Sequence, residues 1–117
     1  MPHLLLEYSD NVSPDRSFEA LGESLHEALA VFETFKLADI KSRWMAREGF
    51  RHGNGDRKNA FVHLRLEILS GRPAALKKTV GVKLLELLKQ EFAQASKDLH
   101  LDISLEIRDL DREYYFK

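Results

Sequence analysis

The sequence predicts an α+β fold: two β-α-β repeats that form one four-stranded sheet, with two helices on one face. Two observations carry this. The first is an internal repeat, because residues 3–8 read HLLLEY and residues 63–68 read HLRLEI, while DIKS at 39–42 returns as DIS at 102–104. The second is that each early segment is followed by a turn, a helical apolar stripe and a second short β-type run.

The elements follow in order. Leu4 to Tyr8 is short, apolar and closed by Ser9-Asp10-Asn11, which reads as a strand ending in a turn. Ser13-Pro14-Asp15 reads as a helix start, with Ser13 as N-cap and Pro14 in the first helical position. Phe18, Leu21, Leu25, Ala28, Leu29 and Phe32 then recur at helical spacing. Ile40 to Ala46 is a second strand, and His52-Gly53-Asn54-Gly55-Asp56 is a loop or hairpin tip.

Ala60 to Leu69 alternates as a third strand, and Ser70-Gly71-Arg72-Pro73 turns into a helix whose stripe from Leu76 to Ala95 runs to about residue 97. Asp102 to Ile107 is the fourth strand, followed by the tail Arg112 to Lys117. Right-handed crossovers put both helices on one face. The Leu, Ile and Val content of the strands predicts an apolar second face, to be covered by self-association.

A chain of 117 residues suits one domain, residues 1–117, with repeats at about 1–58 and 59–117. Its 44% hydrophobic and 32% charged residues are those of a globular protein. The net charge of −1 provides no field for nucleic acid or an anionic membrane. There are no cysteines, so thiolate chemistry and disulfides are excluded. MPHLLLEYSD lacks the basic and apolar regions of a signal peptide, and no run approaches the roughly 18–20 apolar residues of a membrane span. A cytoplasmic protein is expected.

Pro2 is the first candidate for chemistry. Methionine ahead of proline is commonly trimmed, which would leave a secondary amine. Nearby cations and an apolar pocket would lower its pKa toward that of a useful base. A proline there also suits the start of an edge strand. Arg72 stands in the turn after the strand that repeats the first one, and Lys41 and Arg43, two apart on a strand, face the same way. Such cations suit an anion site, arginine binding carboxylates with a planar fork, although a solvated edge would carry them equally well.

The basic stretch from Lys41 to Lys58, with Trp44 and Phe50, allows a nucleic-acid patch, but a charged loop in solvent accounts for it more simply. His3, His26, His52, His63 and His100 show no metal-ligand spacing, so no metal is expected. His3 and His63 are repeat equivalents, which points to structural roles. No phosphate-binding loop or nucleophile elbow is present.

MPHLLLEYSDN, LADIKSRW, AFVHLRLEILSGR with the helix after it, and the closing YFK resemble 5-carboxymethyl-2-hydroxymuconate isomerase, of the superfamily that includes 4-oxalocrotonate tautomerase and macrophage migration inhibitory factor. The resemblance spans nearly the whole chain, and its start and SGR turn are the most specific parts. It implies a homotrimer with active sites at subunit boundaries, and a keto-enol isomerase of homoprotocatechuate breakdown working without cofactor or metal on a small anionic dicarboxylate or tricarboxylate.

Carried over by residue, the resemblance implies that Pro2 is the base and Arg72 binds a carboxylate or a developing oxyanion. Lys41 and Arg43 bind a carboxylate, Lys41 standing where the family's segment has an arginine. The tail with Tyr114, Tyr115 and Phe116 walls a neighbouring subunit's site. A non-catalytic trimeric binding protein on the same scaffold is the alternative.

Overall fold

The computed structural model describes residues 1–117. β1 (His3–Ser9) leads through α1 (Phe18–Ala30) to β2 (Lys41–Arg47), and β3 (Asn59–Leu69) leads through α2 (Ala74–Glu91) and the short α3 (Ala93–Asp98) to β4 (His100–Leu110). The strand order is β2-β1-β3-β4. β1 and β2 are parallel, β3 and β4 are parallel, and β1 meets β3 antiparallel in the centre. Each half is thus a βαβ unit. No helix is long and apolar enough to cross a membrane.

Strand alternation builds the core. Leu4, Leu6 and Tyr8 of β1 and Val62, Leu64 and Leu66 of β3 are buried on one face. Leu21, Leu25 and Leu29 of α1, with Val80, Leu84 and Leu88 of α2, cover them. Each such leucine removed from water contributes about 1.5–3 kcal/mol.

The other face is mainly charged rather than apolar, which corrects the expectation of a hydrophobic open sheet. Most apolar residues of the central strands fall on alternate positions and are spent on the helices, leaving Leu5, Phe61 and Leu69 outside. The charged groups there are largely self-paired: Glu7 with Arg47, His63 with Glu106, Arg65 with Glu67, and Arg108 with Glu106. The open face is thus mixed, with a few apolar residues among paired charges, and not the continuous apolar surface expected.

Two helix boundaries also differ from the sequence reading, and the contacts of Asp15 and Arg16 with the end of α2 and the start of α3 explain both. α1 is capped by Ser17, whose hydroxyl accepts from the Ala20 amide at 3.0 Å, and not by Ser13. Residues before it are drawn to the end of α2 instead. The Asp15 amide donates to the Glu91 carbonyl at 2.7 Å, and the Arg16 guanidinium pairs with the Glu91 carboxylate. Asp15 Oδ1 also accepts from the Gln94 amide at 3.0 Å, which caps α3. The predicted helix to residue 97 is thus divided at Phe92, which is fully buried (φ −115°, ψ 23°). Tertiary partners outweigh the local start signal at Ser13-Pro14.

Candidate active site

Pro2 lies at the mouth of β1 and is fully buried. Its carbonyl accepts from the Lys41 amide at 3.1 Å, so pairing of β1 with β2 sets the two residues side by side. Beside Met1 opens a cleft of about 340 Å³ lined in part by Asp39, Arg72, Arg112, Tyr115 and Lys117.

Arg72 reaches this cleft because the turn before α2 needs a left-handed residue, and Gly71 supplies it at φ +104°. The guanidinium lies over the Phe35 ring, 5.1 Å from its centroid, and donates to the Leu69 carbonyl at 2.9 Å. Its Nε–H is buried without a partner. Burial, and then Arg112, hold its pKa below the ordinary arginine value, against a smaller opposing effect of Asp109. With one Nη1 hydrogen spent on Leu69 and Nε–H buried, the terminal nitrogens hold the guanidinium donors left for a planar anion.

The amine at the chain start sits in the same field. Burial lowers its pKa first, then Lys41. Asp39 opposes them, and Lys117 and Arg72 lower it further. The Met1 amine also donates to the Asp39 carbonyl at 3.3 Å.

Lys41 and Arg43 share a face of β2, as expected from their spacing, but neither lines the cleft within this chain. The Lys41 ammonium donates to the Asp39 carbonyl at 3.4 Å. Both terminal nitrogens of Arg43 donate to His3 Nδ1, at 3.3 and 3.2 Å, and His3 Nε2 bonds the Tyr115 hydroxyl at 3.0 Å. Phe116 is 84% exposed and stands away from the cleft of its own chain.

Sequence reasoning missed Asp39, Arg112 and Lys117 and treated His3 as structural. The places of Asp39, Arg112 and Lys117 in the cleft, and the bond of His3 to the cleft-lining Tyr115, come from strand pairing and the path of the tail, for which the sequence holds no periodic signal. The two aromatic residues of the basic segment are used in packing: Trp44 stacks on Phe18 and Phe50 meets Phe61 edge-on.

Comparison with known proteins places this architecture. A 5-carboxymethyl-2-hydroxymuconate isomerase from Deinococcus radiodurans R1 superposes with a TM-score of 0.91 at 31% identity, covering 99% of this chain and 87% of that one. A fused 4-OT symmetric trimer superposes at 0.71 with 16% identity, over 94% and 86% of the two chains, and shares the fold. The α+β sheet with its two main helices is thus a tautomerase-type fold, shared with both of these proteins. The 5-carboxymethyl-2-hydroxymuconate Delta-isomerase of Escherichia coli is 32% identical over all 117 residues, covering 93% of that protein. Residues 2–117 match the family model of 5-carboxymethyl-2-hydroxymuconate isomerase, and the chain belongs to that family of enzymes.

Proposed function

We propose that this protein is a keto-enol isomerase that converts 5-carboxymethyl-2-hydroxymuconate, or a related hydroxymuconate, to its oxo tautomer, with the Pro2 nitrogen as general base and no cofactor. One observation carries the reading: a buried proline at the chain start, next to a cleft where burial and then nearby cations disfavour a protonated amine.

While Met1 is attached, the Pro2 nitrogen is an amide without a basic lone pair. Removal of Met1 exposes a secondary amine one residue deeper in the same positive field. Such an amine takes the proton from the 2-hydroxyl of the dienol, and the resulting dienolate is held by cations. The ammonium then returns the proton to carbon, so the atoms of the substrate are conserved and only a hydrogen and the double bonds move. Arg72 provides a planar fork for a carboxylate or for charge developing on the 2-oxygen. Lys41 and Arg43 add to the field that retains an anion.

A homotrimer fits this reading, since a fold relative is a symmetric trimer. β2 and β4 both present unpaired sheet edges, and the exposed Phe116 is free to wall a neighbour's cleft.

Intact mass and turnover test the proposal together. Protein confirmed to lack Met1 is expected to isomerise 2-hydroxymuconate, and Pro2→Ala is expected to lower kcat by about 10²–10⁴-fold. Undiminished turnover in that variant would overturn Pro2 as base. Retention of Met1 in protein from its native host would favour a binding protein on the same scaffold.

A further inference from the structure

The Tyr115 hydroxyl has one protein partner, His3 Nε2 at 3.0 Å. The polarity of that bond is set from the far side of the imidazole. Both terminal nitrogens of Arg43 face His3 Nδ1, at 3.3 and 3.2 Å. A guanidinium carries only donors, so Nδ1 must offer a lone pair, and a neutral imidazole then holds its proton on Nε2. Nε2–H therefore donates to the Tyr115 oxygen. The phenolic proton is left without an acceptor in the protein, on a half-buried side chain that lines the same cleft as Met1, Arg72 and Lys117.

His3 is also kept neutral. Burial lowers its pKa first, followed by Arg43, the terminal amine and Lys41, with Glu67 opposing them.

We propose that Tyr115 is a substrate-contacting hydrogen-bond donor, whose phenolic proton is turned toward an anionic oxygen of the bound dicarboxylate by His3 and Arg43 acting as positioning residues. The identity of that ligand rests on the isomerase reading above. Arg43 works by excluding a tautomer. Were Nδ1 to carry the proton, Nε2 would become an acceptor, and Tyr115 would spend its proton on His3 instead of the ligand. Tyrosine and histidine would keep their positions while the polarity of their bond reversed.

The experiment uses the Met1-processed chain and its Tyr115→Phe, Arg43→Leu and doubly substituted forms. Calorimetry measures binding of 2-oxoadipate, which has two carboxylates and a 2-oxygen. Turnover of 2-hydroxymuconate gives kcat and KM, and nitrogen-15 NMR reports which His3 nitrogen is protonated. A hydrogen bond to a charged oxygen predicts that Tyr115→Phe weakens 2-oxoadipate binding about 10- to 150-fold. In wild type His3 is the Nε2–H tautomer, and Arg43→Leu admits the Nδ1–H form. On the Arg43→Leu background, Tyr115→Phe costs less than it does in wild type. Unchanged 2-oxoadipate binding in Tyr115→Phe, or an Nδ1–H His3 in wild type, overturns the proposal. If Pro2→Ala abolishes turnover while Tyr115→Phe binds normally, this inference fails and the base assignment stands. If no form turns over substrate but Tyr115→Phe still weakens binding, the reverse holds.

Discussion

His3 opens β1 and His63 lies on β3, in matching positions of the two half-sheets, yet their neighbours carry opposite charge. Facing His3 are Lys41 and, one same-face step along, Arg43; facing His63 are Ser104 and Glu106. His3 Nδ1 accepts from a guanidinium, while His63 bonds the Ser104 hydroxyl at 2.7 Å and the Glu106 carboxylate. The hydrogen bond from His63, followed by that from Arg108, lowers the pKa of Glu106, so the second site settles its own charge. The first leaves positive charge unspent beside the chain start. One backbone repeat thus yields a cluster of unspent cations in one half and a closed polar network in the other. The difference lies in two side chains on each outer strand.

The largest expected effect comes from making the first site like the second. Arg43→Glu replaces a donor to Nδ1 with a carboxylate, which favours imidazolium at His3 and repels an anionic substrate. A loss of about 10²-fold or more in kcat/KM is expected, together with an upward shift of the His3 titration followed by NMR. A variant that keeps wild-type kcat/KM would show that the positive field around His3 does not matter for turnover.

Arg72 comes next. Loss of a charge-assisted contact predicts a 10- to 150-fold fall in kcat/KM for Arg72→Ala, about what a hydrogen bond to a charged group supplies. Steady-state kinetics with 2-hydroxymuconate measure it. Arg72→Lys is expected to recover only part, because it restores charge without the planar fork that stacks on Phe35.

The smallest effect concerns pH and stability. Burial holds His3 and His26 below the ordinary histidine value, His3 with help from Arg43. As pH falls through the ordinary histidine range, the unfolded chain binds protons before the folded one. Stability from these groups is therefore complete above that range and declines below it. Urea midpoints measured from about pH 8 to about pH 5 should fall, and fall less steeply in His3→Gln. In the same series His3→Gln lowers turnover, whereas His63→Gln leaves it unchanged, since His63 bonds Ser104 and Glu106 and no cleft residue.

Much of the fold was legible because it rests on short-period patterns. The repeat of HLLLEY and HLRLEI marked both central strands, and the stripes Leu21-Leu25-Leu29 and Val80-Leu84-Leu88 marked both helices. Of the candidates Pro2, Lys41, Arg43 and Arg72, only Arg72 lines the cleft, with Pro2 buried beside it and Lys41 and Arg43 outside it. The apolar content of the strands predicts an apolar open face only while its residues are not assigned to sides, and alternation sends most of them inward. Ser13 reads as a cap locally because its true competitor, the end of α2, lies far along the chain.

By itself the sequence determined the βαβ repeat, the helix faces and the residue types near the chain start, since periodicity and turn chemistry act over a few neighbouring residues. Only the tertiary structure decided that Asp15 and Arg16 bind the end of α2, that Tyr115 returns to His3, and that Arg43 meets His3 Nδ1 and not the cleft. These contacts join residues 40 to 112 positions apart. Hydrogen-bond direction and local field depend on which distant groups finally meet, and no local pattern encodes that meeting.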